Sequence, residues 1–242
     1  MNISRKLLEV SPRFHDGLRN LKHRIKSPNH LHALLKGILS QRKGWTFFQA
    51  GANDGVLDDP YREFILNQRA EGVLVEPWPN FFQKLKTNYA YSASRLCFLN
   101  AAVSYPAERM TFYSLDPHKS EACGLVASAV GLETGLDRAP LEALLEKHGI
   151  KEDIIISRKI QGYPIEDLID IAGYSSVDVL FLDLEGYESV VLQSYDDLIL
   201  KPKIISFESK HLSNKDDIFR ILESRGFKLL HAAKDTVAIR EW

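Results

Sequence analysis

Directly after the mostly apolar run Val177–Leu182, the chain reads Asp183-Leu184-Glu185-Gly186-Tyr187-Glu188. Glu208 closes a second apolar run, Ile204–Phe207, and His211 follows shortly after. Carboxylates and an imidazole gathered at the ends of buried strands can take a proton from a hydroxyl or orient a polar substrate. Their hard oxygens could also hold Mg²⁺. Acids near a helix N-terminus are often only caps. Capping accounts for one or two of these carboxylates, but not for Asp183 directly behind a buried strand. Two further acidic positions lie earlier in the chain. Asp54 sits in the turn Gly51-Ala52-Asn53-Asp54-Gly55, with Asp58 and Asp59 just beyond, and Glu76-Pro77 follows about twenty residues later, the usual distance for a ribose-binding acid. His118, Glu121 and Cys123 match no zinc spacing and read as surface residues.

The elements that must position these groups are legible from pattern. Trp45–Gln49 is a short aromatic, β-favouring run that ends in small turn residues, so it predicts a buried strand and a glycine turn. Asp59 suits an N-cap and Pro60 a first helical turn, opening a helix over Tyr61–Arg69. Gly51 and Gly55 would let the backbone bend and approach a ligand. The dinucleotide fingerprint Gly-x-Gly-x-x-Gly is absent, because Asn53 stands at its second glycine. Three nearby carboxylates would also repel a pyrophosphate. An acidic turn suits a cationic centre instead, such as the sulfonium of S-adenosylmethionine; an ordinary turn without ligand is the plain alternative. Gly72–Val75 predicts the next strand, which ends at Glu76, a carboxylate able to accept from both hydroxyls of a ribose. The plain alternative is a surface glutamate before a turn. Leu96–Leu99 predicts a third strand. The small residues of Asn100-Ala101-Ala102 behind it leave room for an adenine ring, or simply pack closely.

Further helices are predicted over Phe81–Tyr89, Pro140–His148, Pro164–Ala172 and Lys215–Glu223. Further strands are predicted over Met110–Leu115, Ile154–Ile160, Val177–Leu182 and Lys203–Phe207. A terminal hairpin of Phe227–His231 and Thr236–Ile239 turns at Lys234-Asp235. Residues 1–43 differ from the rest: they are rich in Lys and Arg and contain Glu9 and Asp16 as their acids. They predict a basic helical extension with one amphipathic helix around Leu18, Leu21 and Ile25 and another from Leu31 to Leu39. This extension reads as a pair of solvated helices, as a lid or docking surface for an anionic acceptor, or as a presequence. Residues 44–242 would form the main domain.

With 45% hydrophobic and 26% charged residues and a formal net charge of −1, the composition is that of an ordinary globular protein without a nucleic-acid footprint. Two cysteines suggest no disulfide framework, and no apolar run reaches membrane-spanning length. The expectation is a cytoplasmic protein; a homo-oligomer is left open.

Taken in order, Gly51-Ala52-Asn53-Asp54-Gly55, Val75-Glu76-Pro77, Asn100-Ala101-Ala102-Val103 and Asp183–Glu188 resemble the FkbM-like methyltransferases. The resemblance runs from about Trp45 to Ile239 and does not extend over residues 1–43. It implies a Rossmann-like class I methyltransferase fold, with a seven-stranded, mostly parallel sheet and an antiparallel last strand. It also implies S-adenosylmethionine as cofactor and O-methylation of a hydroxyl on a sugar, glycan or small metabolite. Cofactor contacts would come from Gln49, Gly51–Gly55, Glu76, Pro77, Asn100, Ala101 and Ala102. Many such enzymes carry an acid where this chain has Gln49, so negative charge facing the cation would come from Asp54. Asp183 or Glu185 would orient substrate or a divalent cation, and Glu208 or His211 would act as base. The competing readings are a non-catalytic binding module on the same fold and an NAD(P)-dependent oxidoreductase.

Overall fold

The computed structural model describes residues 30–40, 42–56, 59–116, 119–120, 123, 136–210 and 212–241. The first predicted N-terminal helix, His118, Glu121 and His211 lie outside these residues. The chain orders its elements as α1 (His30–Leu39), β1 (Thr46–Ala50), α2 (Arg62–Asn67), β2 (Glu71–Val75), α3 (Pro79–Asn88), β3 (Leu96–Leu99), β4 (Ala102–Val103), β5 (Arg109–Leu115) and α4 (Ala139–Lys147). It continues with β6 (Ile155–Tyr163), α5 (Ile165–Ile171), β7 (Val179–Leu182), α6 (Glu188–Ser194), α7 (Asp197–Leu200), β8 (Ile204–Glu208), α8 (Lys215–Ser224), β9 (Lys228–Ala232) and β10 (Asp235–Ile239).

The main sheet has seven strands in the order β3-β2-β1-β7-β8-β10-β9. The pairs β2–β3, β1–β2, β1–β7 and β7–β8 are parallel, and β10 runs antiparallel to both β8 and β9. The central strands are buried on both faces, which is why they read as continuous apolar runs. On one face Phe48, Ala50, Val73, Val75, Leu180, Leu182, Ile205 and Phe207 pack with Ile165, Leu168 and Ile218. On the other, Phe47, Leu74, Val179, Phe181, Ile204 and Val237 pack with Tyr61, Phe64 and Ile65. The same cluster takes in Leu31, Leu35 and Leu39, so α1 is packed into the core through its apolar stripe.

The strand order reverses beside β1, where β2 leads one way and β7 the other. In open α/β sheets ligands bind at that point, outside the carboxyl ends of the strands. Asp54, Glu76, Asp183 and Glu185 follow strands that end there, and Glu208 is the last residue of β8.

Most predicted elements stand within two or three residues of their places. The differences have local causes. Asp59 does act at the start of α2, its Oδ1 accepting from the backbone N–H of Tyr61 and Arg62 at 2.9 and 3.3 Å. Ala102-Val103 is a strand in its own right: it pairs with Gly162-Tyr163 and completes a small β4-β6-β5 sheet. The terminal hairpin turns at Ala233-Lys234, with Ala233 at φ 58°, so Asp235 is the first residue of β10 and pairs across to Glu208.

Candidate active site

The β1 turn is built by backbone bonds before any ligand is considered. The N–H groups of Gly51 and Ala52 both donate to Val75 O, at 3.1 and 3.0 Å. This ties the turn to the end of β2. Gly51 has a φ of 75°, and a Cβ there would lie 1.9 Å from Asp183 O. A Cβ on Gly55 would meet Leu85 and Tyr89 at 2.6 Å. The neighbours that exclude a side chain at Gly51 and Gly55 are therefore the chain itself, the β7 exit in one case and α3 in the other. These contacts account for the absence of a side chain at both positions from within the chain.

Glu76 is 4% exposed. Its carboxylate accepts from Asn53 N–H through Oε2 and from Trp78 N–H through Oε1, each at 2.8 Å. One side chain thus clamps the turns behind β1 and β2 together. Burial raises its carboxyl from the ordinary 4.5 to about 7. The two N–H bonds act against that rise, and the charges of Asp54 and Asp183 add to it. Asn100 turns its amide nitrogen to the chain: Nδ2 donates to the carbonyls of Glu76 and Pro77, at 2.8 and 3.0 Å, so it braces the clamp. Ala101 and Ala102 are buried in apolar clusters, Ala102 against Trp78, Met110 and Ile160. Of the two readings of these small residues, close packing is what their surroundings show.

Gln49 is 2% exposed. Its Nε2 reaches Asp59 at 3.4 Å, and its buried Oε1 has no hydrogen-bond partner. The position serves the packing around Asp59, whose Oδ2 also accepts from Tyr89 Oη at 3.3 Å. Asp54 is buried and caps its own turn, with Oδ1 accepting from Val56 N–H at 2.9 Å.

Across β1, the loop behind β7 is held by Glu188, which the sequence reading places in the acidic motif and gives no role beyond the capping open to any of these acids. Glu188 is 1% exposed, and its carboxylate accepts from Leu184 N–H at 2.6 Å and Gly186 N–H at 2.9 Å. Those bonds fix the turn that carries Asp183 and Glu185. Glu185 takes a left-handed backbone, φ 52°, which a non-glycine residue adopts only when its surroundings enforce it. Burial lifts the Glu188 carboxyl to about 7. Glu185 is exposed as a residue, but partial burial of its carboxyl, then the charges of Asp183, Glu188 and Glu208, take it to about 7 as well.

Asp183 lies at the electrostatic centre of this edge. Its charge is felt at Tyr61, Glu76, Glu185, Glu188, Lys234 and Asp235. Glu208 sits on the neighbouring β8, with Lys234 Nζ donating to its Oε2 at 2.7 Å. Tyr61 stacks on Phe181, ring centroids 4.0 Å apart, and its hydroxyl meets Ser206 Oγ at 3.3 Å. Tyr61, Lys234, Asp235 and Glu188 thus join the acids expected here. The turn and strand that carry them were visible in the sequence; their convergence depends on the strand order.

Among the described residues, no group of three or more His, Cys, Asp or Glu side chains is placed to hold a metal ion. The Mg²⁺ expectation is therefore not carried forward. Nor, among them, is any helix long and apolar enough to cross a membrane.

A parallel sheet reversed at its centre, closed by an antiparallel hairpin and lined with acids at its carboxyl edge, defines a Rossmann-like methyltransferase fold. The chain belongs to the methyltransferase FkbM domain family, whose pattern matches residues 49–229. Among solved structures it is similar to a methyltransferase FkbM from Methylobacillus flagellatus, with a TM-score of 0.51 and 15% identity over 96% of this chain and 51% of that one. This chain thus spans about half the length of that protein. Weaker likenesses are to an S-adenosylmethionine-dependent O-methyltransferase from Thermotoga maritima (TM-score 0.44, 11% identity, covering 94% of this chain and 71% of that one) and to fibrillarin from Aeropyrum pernix in complex with natively bound S-adenosyl-L-methionine (TM-score 0.42, 13% identity, covering 86% and 73%). No curated protein matches the chain.

Proposed function

We propose that the protein transfers the methyl group of S-adenosylmethionine to a hydroxyl of a sugar, glycan or small metabolite. The observation that carries this reading is Glu76, a buried carboxylate raised to about 7 at the end of β2. Each of its oxygens has one backbone donor and capacity for another. A ribose diol supplies two more donors and favours the charged form. The rest of the edge fits the same ligand: Asp54 and Asp183 offer negative charge, which suits a sulfonium and repels a pyrophosphate. Gln49 fits less directly, since its Nε2 is engaged with Asp59 and only its buried Oε1 is left without a partner.

When bound, S-adenosylmethionine supplies an electrophilic methyl on a positively charged sulfur. The chain's own groups then have three tasks. Glu76 holds the ribose. Asp183 orients the acceptor hydroxyl for in-line attack. Glu185, with a carboxyl near 7 and access to solvent, takes the hydroxyl proton as the new O–C bond forms; one oxygen of Glu208 is already committed to Lys234. His211, outside the described residues, is kept as the second candidate base.

Calorimetric titration of the protein with S-adenosylhomocysteine and, separately, with NADH tests the reading. Micromolar binding of the first and none of the second is the expected result. The reverse would make the protein an oxidoreductase, and binding of neither would leave a non-catalytic module on the same fold.

A further inference from the structure

Trp78 carries a buried donor with no acceptor. The residue is 5% exposed, and its indole Nε1–H has no hydrogen-bond partner. It packs with Ala102, Met110 and Ile160, and the partly buried rings of Phe81, Phe112 and Tyr187 close around them. The thioether of Met110 and the hydroxyl of Tyr187 are the acceptors among these side chains, and neither takes the N–H. No ring pair among the described residues includes Trp78, so an aromatic face does not stand in for the missing acceptor. A buried N–H left unmet costs stability, and such a group is expected where a ligand supplies the partner.

A second donor belongs to the same cluster. The hydroxyl oxygen of Tyr187 accepts from Tyr105 N–H at 3.3 Å. Among the described residues, no hydrogen bond takes up the phenol's own O–H. An apolar, aromatic box with two unmet donors matches a flat, largely apolar ring that carries hydrogen-bond acceptors on its rim.

The place of the box in the fold tells what that ring hangs from. Trp78 stands two residues beyond Glu76, whose Oε1 accepts its backbone N–H at 2.8 Å. Tyr187 stands four residues beyond Asp183, in the loop behind β7. Their side chains meet in one cluster, so the box lies where the loops behind β2 and β7 approach each other across β1. A ribose on Glu76 brings its base along, joined by a single bond, and that base must rest beside Glu76. A purine has the required form: a flat ring whose nitrogens accept at the rim. Aromatic side chains hold such bases by stacking. Ala102, expected above as room for the ring, is part of the wall of the box.

We infer that Trp78 is the base-reading residue of the cofactor site: its indole N–H takes a ring nitrogen of the purine, with the neighbouring aromatic rings as the apolar surroundings. This rests on the methyltransferase reading above. The cofactor is then the partner that the ligand-free fold lacks, and its base is selected by one neutral donor as well as by stacking.

The test titrates the full chain and a Trp78→Phe variant by calorimetry. The ligands are S-adenosylhomocysteine and its 1-deaza, 3-deaza and 7-deaza analogues, in each of which C–H replaces one ring nitrogen. In the unaltered protein at least one analogue should bind about tenfold more weakly than the parent, the scale of a buried donor left unmet. In Trp78→Phe the parent should lose about the same factor, and the gap between it and that analogue should close to below about threefold. Equal binding of all four ligands by the unaltered protein overturns the inference. So does a set of gaps that all survive in Trp78→Phe, which would assign the reading of the base to another donor. Should that variant not fold, benzothienylalanine in place of Trp78, the same ring with sulfur for N–H, answers the same question. Absence of S-adenosylhomocysteine binding would sink the methyltransferase reading and this inference with it, whereas binding without discrimination among the analogues sinks the inference alone.

Discussion

Glu76 and Glu188 share the carboxyl edge of the sheet with Glu185 and Asp235, yet the two pairs live in opposite surroundings. The first two are buried and each accepts two backbone N–H groups from a turn. The second two have no such bonds among the described residues, although neighbouring charges and burial raise both, Glu185 to about 7 and Asp235 to about 6. The clamped carboxylates hold the two loops at fixed heights on either side of β1. On the function proposed above, Glu185 and Asp183 are the groups that would meet a substrate. A carboxylate count alone would not separate these roles; the backbone donors do.

The sharpest way to break that division is at Asp183. Asp183→Asn keeps the shape of the side chain and should reduce turnover by about 10³-fold or more while leaving S-adenosylhomocysteine affinity within a factor of about three. Unchanged turnover would remove Asp183 from the chemistry. Glu185→Gln should cost about 10²-fold in kcat with little change in melting temperature, since no backbone group depends on it; an equal loss in a stability assay would place it with the clamps.

The clamped pair should respond the other way. Glu76→Ala orphans the N–H groups of Asn53 and Trp78 and removes the ribose acceptor. Affinity for S-adenosylhomocysteine should weaken at least about tenfold, and stability should drop by roughly 1–3 kcal/mol for each orphaned donor. Calorimetry giving wild-type affinity would mean the ribose lies elsewhere. Glu188→Ala should show the stability loss without the affinity loss.

A further test of the clamped pair is a pH dependence of the ligand-free protein. Glu76 and Glu188 keep their protons up to about pH 7 when folded, but lose them near 4.5 when unfolded. Between those values the folded state binds more protons, so stability is fully present below about 4.5 and is lost as pH rises through 7, by on the order of 3 kcal/mol per buried carboxylate at most. The melting midpoint should fall from pH 5 to pH 8, and saturating S-adenosylhomocysteine should flatten that fall by favouring charged Glu76. A midpoint that rises over the same range would show these carboxylates to be charged at neutral pH without cost.

The fold was largely legible because its central strands are buried on both faces and announce themselves as apolar runs ending in acids. Glu76 could be placed from its distance behind the glycine turn. The roles of Asn100, Ala101, Ala102 and Gln49 could not, because each depends on what stands beside the strand end. Asn100 braces a carbonyl pair, and Ala102 belongs to a two-residue strand whose partner lies sixty residues away. Asp235 was hidden by a one-residue shift of the hairpin turn. Placing it in β10 rather than in the turn changes its neighbours from solvent to Glu208.

Gly51 carries a consequence for descent. Its missing Cβ is filled by the carbonyl of Asp183, so the first loop and the central acid are fitted to one another as key and ward. On the methyltransferase reading, a lineage can exchange its acceptor by redrawing other segments of this edge. It cannot place a side chain at position 51 without lifting Asp183 off its station. That position should resist change across chains that methylate unrelated molecules, for a reason no ligand supplies.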